Sequence, residues 1–335
     1  MLLSVIIVNF KSSDYIIDCL ASADKALLDA DKYEWIIVDN ASNDDSEYTI
    51  TSKFPFVKWI RLSDNVGFAR ANNKGICAAK GSHILLLNPD TILTPNAVEI
   101  ALQRLINSNH VACGVQLVYP DMQPQFTGSN FVRGGLNHIL PVPYWGNVIK
   151  AFASGLMKEK PSIIEASQEH MVDWVSGAFL MVKKTAIDVA GLMDEDFFLY
   201  AEEVEWCSRL RKQGSICIYG DLNVIHLIGT SIQAATKAKD NSYTNLSDKK
   251  GLQLMISNHL RIRKQYGLFW YFFQLLNYTW GVPFAWIISC FQHILNFKNP
   301  KESFKALMGY TKNVLLLWSY MPLMVRNKPY FYKCL

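Results

Sequence analysis

A chain of 335 residues with half of its side chains apolar can bury a large core, which excludes an intrinsically disordered protein. That length suits more than one domain, or one domain with a sizeable extension. The net charge of +4 conceals two regions: from Lys249 onward 12 Lys and Arg face a single acid, Glu302, whereas the residues before it carry 21 basic against 28 acidic side chains.

The opening "MLLSVIIVNF" reads as a first strand over 4–10. It lacks the basic start and small-residue cleavage site of a signal peptide, so a cytoplasmic protein is expected. A helix is expected from about Asp14 to Asp31, then a strand over 34–40 ("EWIIVDN"), a short strand over 57–62 ("VKWIRL") and a helix from about Gly67 to Ala79. The next strand runs into "ILLLNPDTIL", residues 84–93. Ile84, Leu85, Leu86 and Leu87 are apolar without alternation, as in a parallel strand covered on both faces. Pro89 has no N–H to donate and biases Asn88 toward an extended conformation, so the ladder stops and Asp90 stands at the strand's carboxyl end. There Asp90 either meets a ligand or caps the helix expected from near Pro95.

The alternation of strands and helices predicts a doubly wound, mostly parallel sheet. Polar residues recur at the same end of its strands: Asn9, then Asp39 with Asn40, then Asn88 with Asp90. That recurrence marks a site better than three unrelated turns would. No Gly-x-Gly-x-x-Gly follows the first strand and no P-loop occurs anywhere, which removes the main support for dinucleotide and P-loop chemistry. A phosphate-bearing ligand that meets acids rather than a glycine cradle needs a divalent cation between them, and Asp90 with waters suits Mg²⁺ or Mn²⁺. The seven cysteines are odd in number and contain no Cys-x-x-Cys, so neither a disulfide framework nor a zinc site is read from them.

"SVIIVNFKSSDYI", "IIVDNASNDDS", "NVGFARANNKGI" and "LLLNPDT" resemble the successive motifs of glycosyltransferase family 2, the inverting GT-A enzymes, and most of all its bacterial rhamnosyltransferase-like branch. The likeness continues through "VDWVSGAFLMVKKTAIDVAGLMDEDFFLYAEEVEWCSRLRKQG" and "HLIGTS", so that six motifs in order cover roughly residues 3–232. The resemblance implies an α/β GT-A nucleotide-diphospho-sugar transferase fold with a mostly parallel central sheet over residues 1–245; the residues after it, 246–335, are read from their own pattern as a helical extension. It implies that Asp39 accepts hydrogen bonds from a pyrimidine base with Asn9 beside it, that Asn65, Gly67 and Arg70 line the nucleotide, and that Arg70 lies near the diphosphate. It places "NPD" at the family's Asp-x-Asp metal motif: Asp90 is the metal carboxylate, Asn88 replaces the first acid, and His226 completes the metal or diphosphate contacts.

Displacing a nucleoside diphosphate with inversion needs a base that deprotonates the acceptor hydroxyl on the opposite face of the sugar. In "YAEEVEW" the resemblance aligns Glu202 and Glu203 with the family's Glu-Asp pair, and Glu203 takes the place of the usual aspartate base. Glu205 and Arg209 read instead as an i, i+4 pair on a helix. Trp174, Ser176 and Gly177 are expected to shape the sugar and acceptor pocket, with Trp174 equally readable as plain core. Residues 120–170, rich in Pro, Gly and aromatics, are expected to form a long mobile loop region.

Between Lys264 and Lys298 lies an uncharged stretch rich in Trp, Tyr and Phe. Gly281 and Pro283 interrupt it, and cations flank both ends: Arg261, Arg263 and Lys264 before, Lys298, Lys301 and Lys305 after. This predicts two helices lying in the plane of an anionic membrane surface rather than one spanning helix; a buried helical hairpin or a homodimer interface is the other reading.

The function expected is inverting transfer of a sugar, foremost L-rhamnose from dTDP-rhamnose, onto a lipid-linked saccharide acceptor in bacterial surface polysaccharide synthesis (O-antigen or capsule). It would take place on the cytoplasmic face of the membrane and needs no nucleic-acid partner. The alternatives are a hexosyl or galactofuranosyl transfer from a UDP-sugar and, in another class, a non-catalytic nucleotide-sugar binder or scaffold.

Overall fold

A computed structural model describes residues 1–23, 27, 29, 31–154, 162–227, 245–294 and 300–335. In chain order the first half contains β1 (Leu3–Asn9), α1 (Ser13–Ala21), β2 (Tyr33–Asp39), α2 (Ser46–Lys53), β3 (Val57–Arg61), α3 (Gly67–Ala78), β4 (His83–Leu87), β5 (Thr91–Leu93), α4 (Ala97–Asn107), β6 (Ala112–Val118), β7 (Gly128–Ser129), a 3₁₀ helix (Arg133–Ile139) and α5 (Trp145–Ser154). There follow β8 (Ser162–Ile163), β9 (Glu169–Val172), β10 (Trp174–Val175), β11 (Phe179–Lys183), α6 (Lys184–Ala190), α7 (Glu202–Leu210), β12 (Ile216–His226), α8 (Lys249–Tyr266), α9 (Leu268–Ile294) and α10 (Pro300–Arg326). These elements form two compact units: residues 1–130, 162–195 and 203–241 make the first, and 131–161, 196–202 and 242–335 the second. In place of a single cut at residue 245, the second unit takes two earlier segments as well.

The first unit is built on a sheet in the order β3-β2-β1-β4-β11-β6-β12-β5, with β9 beside β12. The strands β3, β2, β1 and β4 are mutually parallel, β11 is antiparallel to both β4 and β6, and β12 is parallel to β6. Every residue of β1, β4 and β6 is buried, which is why those segments are mostly apolar without alternation. On one face Leu3, Val5 and Ile7 join Ile16 and Leu20 of α1 and Leu102 and Leu105 of α4 in a common core. On the other face Ile6 meets α3, where a Cβ on Gly75 would lie 2.5 Å from Ile6 Cγ2, so the helix sits at glycine distance.

The strand of "ILLLNPD" ends at Leu87 and the chain turns at Pro89 and Asp90, as expected. The next helix is preceded by Asn96, not capped by Asp90. The first helix ends at Ala21, where the Ser22 hydroxyl donates to Cys19 O at 2.6 Å and accepts from Leu93 N at 2.9 Å; residues 24–26, 28 and 30 of the longer helix expected lie outside the described residues. The helix α2 gave no signal in the sequence: "SEYTITSK" buries only Ser46 and Ile50 and has no apolar stripe.

Two expectations are corrected, one across both units and one within the second. Residues 120–170 are not a long loop: their described part holds β7, the 3₁₀ helix, α5, β8 and β9. Their Pro and Gly content marks short elements, and Gly134 and Gly135 take left-handed φ of 64° and 66° where the ring of Trp270 would collide with a side chain on Gly134. Nor do Gly281 and Pro283 split the apolar stretch; α9 runs through both. A proline inside a helix costs about 3 kcal/mol. That cost is offset by burial of Tyr271, Leu275, Tyr278 and Ala285 within the unit, where Gly281 lets Val142 and Tyr310 close in.

The cations ahead of the stretch turn inward. Arg261 is buried with its guanidinium 2.6 Å from His138 Nε2, Arg263 donates to Val325 O at 3.2 Å, and Lys264 pairs with Asp196 at 2.6 Å. The opposite side of α9 exposes Phe269, Phe273, Leu276, Trp280, Ile287 and Phe291. No helix among the described residues is long and apolar enough to cross a membrane.

Candidate functional site

The carboxyl ends of β1 and β2 are joined by side chains. Asn9 and Asp39 are partners in register, and Asn9 Nδ2 donates to Asp39 Oδ1 at 2.8 Å and to Ser42 Oγ at 3.0 Å. Ser42 Oγ in turn accepts from Lys11 N at 2.9 Å, so the turns after both strands are fixed together. Asn40 reaches the next connection: its Nδ2 donates to Asn65 Oδ1 at 3.0 Å and its Oδ1 accepts from Val66 N at 2.9 Å. Gly67 opens α3 with φ of 81°, a left-handed conformation that favours glycine. Between these turns lies a cavity of about 600 Å³, lined by Phe10, Lys11, Ser42, Asp44, Asp64 and Asn65 among others. Its size suits a small organic ligand such as a nucleoside.

At the end of β4 a second group converges. Asp90 is 1% exposed, its Oδ1 is 3.5 Å from His226 Nε2, and Asn88 Nδ2 is 3.4 Å from the same nitrogen. Backbone pairing sets this distance, since His226 is opposite Thr91 between β12 and β5, and Leu227 N donates to Asp90 O at 2.9 Å. The strand β12 reaches this register through a bulge between Tyr219 and Asn223, where Gly220 passes too close to Ala166 for any side chain. The remaining residues of "HLIGTS", 228–231, lie outside the described residues. One carboxylate, one imidazole and one amide form an oxygen and nitrogen donor set that fits Mg²⁺ or Mn²⁺. Behind the imidazole is Gln125, which sequence reasoning missed because it sits in a stretch without periodicity.

The third group surrounds the start of α7. A Cβ on Gly177 would sit 3.5 Å from Phe68 and 3.7 Å from Glu203 Cβ, so the Ser176–Gly177 turn, α3 and Glu203 are neighbours. The turn is held by Ser176 N donating to Thr127 O at 2.7 Å, and Trp174 is half-buried against Phe126, ring centroids 5.4 Å apart. The chain enters α7 through Tyr200 and Ala201, both left-handed at φ of 73° and 66°. Such strain, on the order of 1 kcal/mol or more per residue, concentrates at functional sites. Glu203 is half-buried in the first unit, whereas Glu202, buried, belongs to the second. Glu205 forms the expected pair with Arg209: Arg209 Nε and Nη2 donate to its two oxygens at 2.8 and 2.7 Å. Arg70 is held by Glu195, donating from Nε to Glu195 O at 2.9 Å.

A separate cluster, His110, Glu169 and Cys217, brings its ligand atoms within 4.8 Å of one another. His110 Nε2 is 2.9 Å from Glu169 Oε1, and burial pushes the Cys217 thiol up to about 12. A groove of about 620 Å³ along α4, lined by Arg104, Glu169 and Tyr219, adjoins it.

Residues 4–161 match the model of Glycosyl transferase family 2. The chain is 25% identical over 202 residues to an N-acetylglucosaminyl-diphospho-decaprenol L-rhamnosyltransferase of Mycobacterium tuberculosis, covering 55% of this chain and 62% of that one. It is 23% identical over 201 residues to a dTDP-rhamnosyl transferase of Shigella flexneri (58% and 60%), and 27% identical over 219 residues to a low-salt glycan biosynthesis hexosyltransferase of Haloferax volcanii (63% and 62%). The matches thus span less than two thirds of these relatives' length. A mannosyltransferase from Pyrobaculum calidifontis, solved with GDP-Man and Mn²⁺, superposes with a TM-score of 0.53 at 13% identity, covering 95% of this chain and 87% of that one. That likeness identifies the fold as GT-A.

Proposed function

We propose that this chain, which belongs to glycosyltransferase family 2, moves a sugar with inversion from a nucleoside diphosphate onto a lipid-linked saccharide acceptor. The observation that carries the reading is the pairing of Asp90 with His226, 3.5 Å apart, at the same sheet edge as Asn9 and Asp39. In this reading Asp39, oriented by Asn9, accepts from the base, and Asn65 and Gly67 shape the nucleotide cavity. Asp90 and His226 hold Mg²⁺ or Mn²⁺, with Asn88 beside them. Bound there, such an ion would neutralise charge on the departing diphosphate. Glu203, beside the Ser176–Gly177 turn, takes the proton of the acceptor hydroxyl as its oxygen attacks the anomeric carbon, while the bond to the diphosphate oxygen breaks on the opposite face. Trp174 belongs to the acceptor pocket in this assignment, and Arg70 acts near the diphosphate.

The names of the Mycobacterium and Shigella relatives support L-rhamnose, with dTDP-rhamnose as donor, and the hexosyltransferase relative supports hexosyl transfer as the second reading, for which UDP-sugars are the donors to test. The exposed aromatic side of α9 supports residence at the inner face of the cell membrane, with a contact between two copies as the competing use of that face. Nucleoside-diphosphate release, measured with dTDP-rhamnose and a series of UDP-sugars with and without EDTA, tests the assignment. Release from dTDP-rhamnose that stops in EDTA is expected, and no release from any donor under any metal condition overturns the enzyme reading.

A further inference from the structure

The buried Gln125 side chain spans both ends of His226. It is 2% exposed, its Nε2 donates to the His226 carbonyl at 2.6 Å, and its Oε1 is 3.2 Å from His226 Nδ1. Its own backbone is fixed: Gln125 N donates to Leu117 O at 2.8 Å, and Gln125 O accepts from Gln116 Nε2 at 2.9 Å and Thr127 Oγ1 at 3.1 Å. We propose that Gln125 is a positioning residue that holds His226 in the Nδ1-protonated tautomer and so keeps Nε2 as a lone pair beside Asp90.

Hydrogens are assigned by the bonding network, and here the network leaves one assignment. A backbone carbonyl only accepts, so the amide NH₂ of Gln125 must face His226 O. Its oxygen then faces the ring, and because an amide oxygen also only accepts, Nδ1 must carry the proton. In the neutral ring the lone pair is therefore on Nε2. Asn88 Nδ2, 3.4 Å away, faces that lone pair with a donor. In the opposite tautomer the Nδ1 lone pair would confront the Gln125 oxygen.

The arrangement matters because Asp90 pulls the other way. A carboxylate oxygen 3.5 Å from Nε2 favours a proton on that nitrogen, which would occupy the atom a metal needs. Gln125 opposes this from the far side of the ring, as the outer partner of a metal-ligating histidine does. A glutamate at 125 could not replace it, since one end must donate to His226 O and the other must accept from Nδ1–H.

This rests on the metal reading of Asp90 and His226 for its purpose, though not for its test. The full-length protein, ¹⁵N-labelled at histidine, is observed above about pH 8, where imidazole is neutral. The His226 signals are assigned by their loss in His226→Gln. Wild type is expected to show a protonated Nδ1 and a bare Nε2. Gln125→Met, similar in length and without polar ends, is expected to shift His226 toward Nε2–H and to weaken Mn²⁺ binding, read by electron paramagnetic resonance of free Mn²⁺, about tenfold. Far-UV circular dichroism confirms that the variant is folded. A wild-type ring protonated on Nε2 overturns the proposal even where the variant does not fold, and so does a folded variant with tautomer and Mn²⁺ affinity unchanged. The expected tautomer shift in a protein that binds no Mn²⁺ upholds the positioning role and removes the metal reading instead.

Discussion

Asn9 and Asp39 face each other at the paired ends of β1 and β2, with Asn9 Nδ2 donating to Asp39 Oδ1 at 2.8 Å. Asn9 is fully buried and Asp39 5% exposed, so this bond fixes which carboxylate oxygen stays available to a base. Asn9→Ala removes the donor without touching the cavity lining. Nucleotide affinity by calorimetry is expected to fall about tenfold, the scale of one hydrogen bond to a charged group, and Asp39→Ala should cost at least as much. Wild-type affinity in Asn9→Ala would contradict the positioning of Asp39.

The acidic cluster at α7 separates into two roles. Glu203→Gln keeps the shape of the side chain and removes the proton acceptor, so kcat should fall by about two orders of magnitude or more with donor affinity little changed. Glu205→Gln acts elsewhere. Its carboxylate is 8% exposed and held by Arg209 through two nitrogens, so the variant should keep kcat and lose roughly 1–3 kcal/mol of stability in urea unfolding. Exchange of these outcomes between the two variants would show the base assigned one residue pair too early.

What the sequence could reveal depended on how local the signal was. The run Ile84–Leu87 stopped by Pro89 states a buried parallel strand and its end in one short segment, and β4 ends at Leu87. The polar ends Asn9 and Asp39 follow from the same logic. By contrast α2 has no periodic apolar face, and Gly281 and Pro283 signal a break that packing within the second unit overrides. Gln125 is the furthest from legible. Its role depends on a partner 101 positions away, and nothing around it in the chain marks that partner.

A pH dependence follows from His259. It is 1% exposed, its Nδ1 is 2.7 Å from Met255 O, and the rings of Tyr271 and Tyr278 stand edge-on to it. Burial pushes its pKa down to about 4, and burial together with the nearby Arg261 guanidinium holds His138 well below the usual range. The unfolded chain takes up these protons near the ordinary histidine value of about 6.5, whereas the folded chain resists. Stability is therefore fully present above about pH 6.5 and is lost as pH falls toward 4, by about 3 kcal/mol for His259 alone. Urea unfolding between pH 7 and pH 5 checks this, and His259→Gln should flatten the slope. Equal slopes in wild type and variant would remove His259 as the cause.

The exposed side of α9 yields the last prediction. Phe269, Phe273, Leu276, Trp280, Ile287 and Phe291 recur at helical spacing and are all exposed, Phe269 at 72% and Trp280 at 68%. A continuous apolar stripe of this size marks an interaction surface. Of the cations expected to flank it, Arg261, Arg263 and Lys264 are engaged within their own unit, Lys305 on α10 is exposed, and Lys298 and the Lys301 side chain lie outside what the structure describes. The aromatic contribution to membrane binding should therefore exceed the charge contribution. Full-length protein is expected to co-sediment with anionic vesicles at low salt and to keep most of that binding in high salt, which screens only the charges. Truncation near Lys250 is a poor test, because it would strip the packing partners of residues 131–154 and 196–202 in the same unit. Phe269→Glu with Trp280→Glu is the better one: both side chains are exposed, so the melting temperature should hold while vesicle binding falls at least tenfold. A folded wild type that ignores vesicles at low salt would sink the membrane assignment. If sedimentation velocity then showed a dimer that the double variant converts to monomer, the stripe would be the contact between two copies of the chain.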